Sequence, residues 1–232
     1  MSAPRRVVQF WAADVPSETA RMLSALIRRF VRESGQCRMV LAGGRTPAAI
    51  YRMLAEAHEV PWDKVEIFIG DERCVPPTDG DSNFRMIDAS LLSLVAVRPD
   101  QVHRLRGEIG SHAAAAEYDA LIDALPAMKF DIVLTGVGAD GHTASLFPGD
   151  PSVRLATSWA VASTAPAPFV VAERVGMTLR ALNATRVMIV LCTGAEKLPV
   201  RTRILSGASD ARDLPAAMLA GHEQTLWIVD PA

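Results

Sequence analysis

The sequence predicts an α/β fold: one domain, residues 1–232, with a mainly parallel sheet and helices on both faces. Three observations carry that expectation. Short β-branched runs alternate with longer stretches whose apolar residues recur at helical spacing. The helical stretches are long enough to serve as crossovers between parallel strands. No internal repeat, low-complexity tract or linker interrupts the alternation; the segments 148–155 and 166–168 come nearest to a boundary, and both are short.

The elements follow in order. Residues 7–11 read as a strand, and 16–32 as a helix with Ala20, Leu23, Ile27, Phe30 and Val31 on one face. Residues 37–42 read as a buried strand. A helix over 46–57 follows, with Pro47 in its first turn, where the missing N–H has no partner to lose. The strand at 65–70 ends in the polar run Asp71-Glu72-Arg73, and a loop with Pro76, Pro77 and Gly80 leads to a helix over 82–95 capped by Ser82 or Asp81. Residues 111–125 are alanine-rich and helical, 130–135 and 159–163 are strands, and 177–182 is a short helix. A strand at 187–192, a helix at 195–205 and a strand at 225–229 complete the chain.

Composition narrows the function classes. Half the residues are apolar and 22% are charged, as in ordinary globular proteins. A formal charge of −2 provides no basic field for nucleic acid or an anionic membrane surface. Three scattered cysteines, Cys37, Cys74 and Cys192, form neither a disulfide framework nor a zinc motif, so no metal is expected and a reducing compartment fits. The apolar run after Arg5 and Arg6 is broken by Asp14, too early for a signal peptide, and no stretch is long enough to span a bilayer. The expectation is a cytoplasmic protein.

In open parallel sheets, ligands bind beyond the carboxyl ends of the strands. Polar or glycine-rich clusters follow the strands at 37–42, 65–70, 130–135 and 187–192, so four distant segments are expected to meet at one rim. Gly43-Gly44-Arg45-Thr46-Pro47 brings two glycines to a helix start, which lets backbone N–H groups approach an anion; a plain tight turn is the alternative reading. Thr46 can cap that helix or donate to a phosphate oxygen. The segment lacks the G-K-[ST] ending of a Walker loop. In Gly70-Asp71-Glu72-Arg73, the acids can orient a neighbour or act as a base, and Arg73 can pair with phosphate or with an acid.

Gly136, Gly138 and Gly141 fit the spacing G-x-G-x-x-G, but Pro148 cuts short any long helix and no second strand ends in an acid at the required distance, so a nicotinamide cofactor is disfavoured. His142 lies among these glycines with no apolar face to bury it. Beside Asp140, which can set its tautomer, it is a candidate acid–base. Asp140, His142 and Ser145 lie too close in sequence for the usual triad, and the G-x-S-x-G elbow is missing. Lys197, one of only three lysines, sits at another strand–glycine–helix junction. There the helix dipole disfavours a cation by about 0.3–1 kcal/mol, which a bound anion would offset.

Taken in order, these segments resemble the 6-phosphogluconolactonase family, sister to the glucosamine-6-phosphate deaminases, over nearly the whole chain. Gly43-Gly44-Arg45-Thr46-Pro47 is similar to the family's phosphate loop, with Arg45 a departure toward the lactonases. Gly70-Asp71-Glu72-Arg73 with Ser82-Asn83, the stretch from Thr135 to Gly149, and Leu214-Pro215-Ala216-Ala217 with Leu226-Trp227 resemble lactonase motifs. Arg174 matches a substrate-contacting arginine, although Gly176 stands where relatives carry threonine. The deaminases carry D-E-Y and an acid-bearing F-N-E-P stretch that this chain lacks. The resemblance implies a Rossmann-like domain, no cofactor, and hydrolysis of 6-phospho-D-glucono-1,5-lactone in the oxidative pentose phosphate pathway. It also implies a monomer or weak homodimer, His142 and Asp140 as catalytic residues, and substrate contacts from Gly43, Gly44, Arg45, Thr46, Asp71, Arg73, Arg174 and Lys197. Backbone N–H groups of the glycine loops would face the tetrahedral oxyanion. A deaminase, tested by ammonia release, and a non-catalytic sugar-phosphate sensor are the competing functions.

Overall fold

The computed structural model describes residues 6–126, 128–155 and 157–231; Arg5, in the stretch read above for a leader, lies outside them. Seven parallel strands form the main sheet in the order β1 (Arg6–Trp11), β10 (Gln224–Val229), β9 (Thr185–Cys192), β6 (Phe130–Gly136), β2 (Cys37–Leu41), β3 (Val65–Ile69) and β5 (Val102–His103). Successive residues of each strand point to opposite faces, and both faces are apolar. Met39, Ile67, Ile132, Ile189 and Ile228 look toward α1 (Val15–Ser34), α2 (Arg45–Ala55) and α3 (Asn83–Ser90). Val40, Phe68, Val133, Val190 and Trp227 look toward α4 (Ser111–Asp123), α6 (Leu179–Asn183) and α7 (Leu198–Leu205). One sheet thus serves two cores, as expected of a single α/β domain.

Local signals set the helix ends. Asp14 caps α1 by accepting from the Ser17 N–H at 3.2 Å, Pro16 occupies the first turn, and Gly35 ends the helix in the left-handed conformation at φ 80°. Ser82 rather than Asp81 caps α3, accepting from the Arg85 N–H at 3.1 Å. That helix stops at Ser90 instead of running to residue 95; a separate short turn, Leu92–Leu94, follows. Thr46 is not the cap of α2. Gly44 is, at φ 113°, a conformation that favours glycine. The segment expected as one helix over 195–205 is a single 3₁₀ turn, Ala195–Lys197, followed by α7.

The sequence reading missed a second sheet. Strands β4 (Asp71–Arg73), β8 (Glu173–Met177) and β7 (Ala160–Thr164) form an antiparallel layer in that order. Met177 was expected to open a helix. It instead ends β8 opposite Ala160, and α6 starts only after Thr178, whose hydroxyl accepts from the Ala181 N–H. The small sheet is tied to the large one where the Met177 N–H donates to the Gly70 carbonyl at 2.8 Å. The tie brings the ends of β3 and β8 together at the carboxyl rim. The short helix α5 (Ser152–Leu155) was likewise read as loop.

Candidate active site

The carboxyl ends of β2, β3, β6 and β9 enclose a cleft of about 280 Å³. Ala42, Gly43 and Gly44 line it from the first segment; Asp71, Arg73 and Asn83 from the second; Thr135 to Gly138, His142 and Ala144 from the third; and Lys197 from the fourth. The four segments anticipated at one rim do converge there.

His142 is held on several sides. Its Nδ1 lies 2.6 Å from Asp140 Oδ1, and the same carboxylate oxygen accepts from the His142 backbone N–H at 3.1 Å. A carboxylate can only accept, so Nδ1 carries a proton, and in the neutral ring the lone pair lies on Nε2. The ring packs against Phe147 and, edge-on, against Phe169, with centroids 5.1 and 5.8 Å away. Below it lies Gly138, where a Cβ would come within 2.2 Å of the ring. This contact, rather than a dinucleotide, accounts for the second glycine of the G-x-G-x-x-G spacing.

Ser145 takes no part in a triad. It is buried, and its hydroxyl donates to Asp71 Oδ2 at 2.6 Å. Glu72 is also buried and is fully occupied: it accepts from the N–H groups of Arg73, Asn83 and Phe84 and from the Ser82 hydroxyl, all at 2.7–2.9 Å. Burial pushes its pKa upward, and those four donors oppose the shift. The carboxylate pins the start of α3 against β4, a role its position after a strand did not reveal.

The cations of the site are the telling electrostatic feature. Arg73 donates only to neutral acceptors, the Asp81 carbonyl at 2.6 Å and Asn83 Oδ1 at 2.7 Å. Arg174, its partner across the β4–β8 ladder, is 6% exposed, and its Nε has no hydrogen-bond partner. Burial and then the nearby Arg73 charge pull the Arg174 pKa below its ordinary value. Among the described residues, neither arginine nor Lys197 forms an ion pair, whereas ten other arginines do. Unneutralised cations at a concave rim suit a multiply charged anion.

Three residues expected to contact substrate fall elsewhere. Arg45 and Thr46 line a neighbouring open groove with Asp14, Thr193, Glu196 and Asp230, and are not part of the lining around His142. Arg174 stands behind the cleft wall, not on its lining, with its guanidinium 5.8 Å from the Phe169 ring. At Gly176 a Cβ would meet the Asp71 Cβ at 3.1 Å, and the next threonine in sequence, Thr178, donates to the Ser158 carbonyl at 2.8 Å. Asn83 and the two phenylalanines were not named as site residues; Asn83 was visible as part of the Ser82-Asn83 motif, with no role assigned to it.

A family model described as glucosamine-6-phosphate isomerases/6-phosphogluconolactonase matches residues 11–227. The chain belongs to the glucosamine-6-phosphate isomerase/6-phosphogluconolactonase family. A 6-phosphogluconolactonase of Treponema pallidum (strain Nichols) is 39% identical over 195 residues, 81% of this chain and 77% of that protein. The GDH/6PGL endoplasmic bifunctional protein of Homo sapiens is 33% identical over 97% of this chain, which spans 29% of that protein's length. The crystal structure of 6-phosphogluconolactonase from Thermotoga maritima superposes with a TM-score of 0.87 at 30% identity, covering 97% of this chain and 100% of the other. The family's α/β architecture is therefore that of this chain.

Proposed function

We propose that the cleft hydrolyses 6-phospho-D-glucono-1,5-lactone to 6-phospho-D-gluconate, as in the oxidative pentose phosphate pathway. The observation that carries this reading is the short His142–Asp140 pair in a cleft shared with Arg73 and Lys197. The relatives named 6-phosphogluconolactonase support the same activity.

The phosphate is the remote handle, taken by Lys197, Arg73 and the Gly43-Gly44 backbone, with Arg174 adding positive potential from behind the wall, while Asp71 faces the sugar. Binding of the handle fixes the lactone carbonyl near His142. Nε2 of His142 removes a proton from water as its oxygen adds to C1. The imidazolium is stabilised through Nδ1–H by Asp140, and the tetrahedral intermediate collapses with cleavage of the bond from C1 to the ring oxygen. His142 returns the proton to that oxygen, so the base is regenerated and one water is consumed. The reading requires no cofactor. It also includes a cytoplasmic protein acting as a monomer or weak homodimer without nucleic-acid or membrane partners. The free thiols Cys37, Cys74 and Cys192 and the net charge of −2 support that part. No helix among the described residues is long and apolar enough to cross a membrane.

The test is the rate at which the purified protein removes the phosphorylated lactone, compared with spontaneous hydrolysis. Acceleration that His142→Ala abolishes, with KM little changed, is expected. Absence of acceleration overturns the activity, and wild-type turnover by His142→Ala overturns the base. Equal rates on unphosphorylated glucono-1,5-lactone would remove the handle.

A further inference from the structure

The Asn83 side chain joins two of the segments that line the cleft. Oδ1 accepts from Arg73 Nη1 at 2.7 Å, and Nδ2 donates to the Asp71 carbonyl at 2.8 Å, with Asp71 Oδ1 3.4 Å away. It also lies so close to Gly43 that a Cβ there would fall 2.0 Å from Asn83 Oδ1. The amide orientation is unambiguous, because a guanidinium only donates and a carbonyl only accepts. Asn83 is 2% exposed, and its own N–H is anchored on Glu72 Oε1 at 2.7 Å. Little freedom remains for it to rearrange.

Elsewhere on this protein the usual partner of an arginine fork is a carboxylate. Arg38 pairs with Glu66, Arg104 with Glu108, and Arg186 with Glu33 and Glu223. At Arg73 the acceptor is an amide of the same shape as aspartate but without its charge. An aspartate could also accept from Arg73, yet it would neutralise the guanidinium and turn an oxygen toward the Asp71 carbonyl, which needs a donor. Asn83 meets both demands: it orients the fork and leaves the positive charge available to an anion.

We propose that Asn83 is a positioning residue for substrate affinity, holding Arg73 in place while keeping its charge unpaired for the phosphoryl group. This rests on the phosphate-handle reading above. The experiment compares the unsubstituted protein with Asn83→Asp and Asn83→Ala. It measures KM and kcat on the phosphorylated lactone, the dissociation constant of inorganic phosphate by titration calorimetry, and the melting temperature of each protein. Asn83→Asp is expected to raise both KM and the phosphate dissociation constant about tenfold or more, the effect of cancelling one charge-assisted contact, with kcat changed by less than about threefold. Asn83→Ala, which loosens Arg73 without neutralising it, is expected to shift both constants less than Asn83→Asp does.

The order of the two variants decides the matter. If Asn83 only supported the fold, truncation to alanine would do at least as much damage as the isosteric acid. That order, or unchanged phosphate binding in Asn83→Asp, overturns the proposal while leaving the handle intact. If Asn83→Asp melts below the assay temperature, Asn83→Ala remains decisive: loss of phosphate binding as severe as that of Arg73→Ala overturns charge preservation, and partial retention supports it. Failure of the unsubstituted protein to bind phosphate overturns the handle itself.

Discussion

Gly138→Ala isolates the placement of the base from its chemistry. Gly138 is not among the glycines with left-handed φ, so an alanine backbone is tolerated and the effect comes from the added methyl. That methyl would sit 2.2 Å from His142 Cε1 and Nδ1 and 2.7 Å from Asp140 Oδ1. An ordinary contact begins near 3.4 Å, so the ring must retreat by about 1 Å. Retreat is opposed by Phe147 and Phe169 and strains the 2.6 Å bond to Asp140. Misplacing a reacting group by about 1 Å costs on the order of 10²-fold in rate, near 2.7 kcal/mol. Steady-state kinetics on the phosphorylated lactone should therefore show kcat about a hundredfold lower and KM within about threefold of the unsubstituted value. Proton NMR gives a second reading, since the downfield Nδ1–H resonance of a short histidine–carboxylate bond should weaken or move. A kcat within about threefold of the unsubstituted enzyme, with that resonance in place, would refute the steric reasoning.

Three more expectations follow from the same geometry. Ser145→Ala removes a hydrogen bond to Asp71 and should lower turnover by less than about tenfold; loss of about 10⁴-fold or more would instead mark Ser145 as a nucleophile. Lys197→Ala should raise KM by roughly ten- to a hundredfold, whereas Arg45→Ala, in the neighbouring groove, should leave it within about twofold; equal effects would place Arg45 on the substrate. His103 stacks on Phe68 at 4.4 Å, and burial holds its pKa below the ordinary value. The unfolded chain therefore takes up that proton first as pH falls below about 6.5, so the stability His103 contributes is present above that pH and lost on acidification. Thermal melts at about pH 7.5 and about pH 5.5 should show a shallower loss for His103→Phe than for the unsubstituted protein, and identical slopes would exclude the effect.

Much of the large sheet was legible because its physics is local. The runs at 37–42, 65–70, 130–135 and 187–192 are apolar enough to be buried on both faces, and each ends in glycine or charge at the rim. The small sheet was not legible. Asp71-Glu72-Arg73 is only three residues, all charged, and Glu173–Met177 includes a glycine; the two become strands by pairing with each other across about a hundred residues of sequence. His142 and Asp140 stood out because the glycines around them in sequence suggest no packing role for a histidine, and the packing against Phe147 and Phe169 appears only in the fold. Arg45 and Thr46 were grouped with the neighbouring glycines because they adjoin them in sequence. Yet Gly44 caps α2, and the helix it starts places both residues on the groove that Glu196 and Asp230 also line. Asn83 depends on a loop, residues 74–81, whose course no periodicity encodes.

The register that sets Arg73 opposite Arg174 has a consequence for how such a protein evolves. Like charges facing each other across a ladder weaken it, so this rung is less stable than one carrying an uncharged or oppositely charged pair. A drift toward glutamine at Arg73 would relieve that repulsion while removing the cation proposed to hold the phosphoryl group. Selection for turnover and selection for thermostability therefore pull in opposite directions at this rung, and stabilising substitutions compatible with catalysis should accumulate elsewhere on the scaffold.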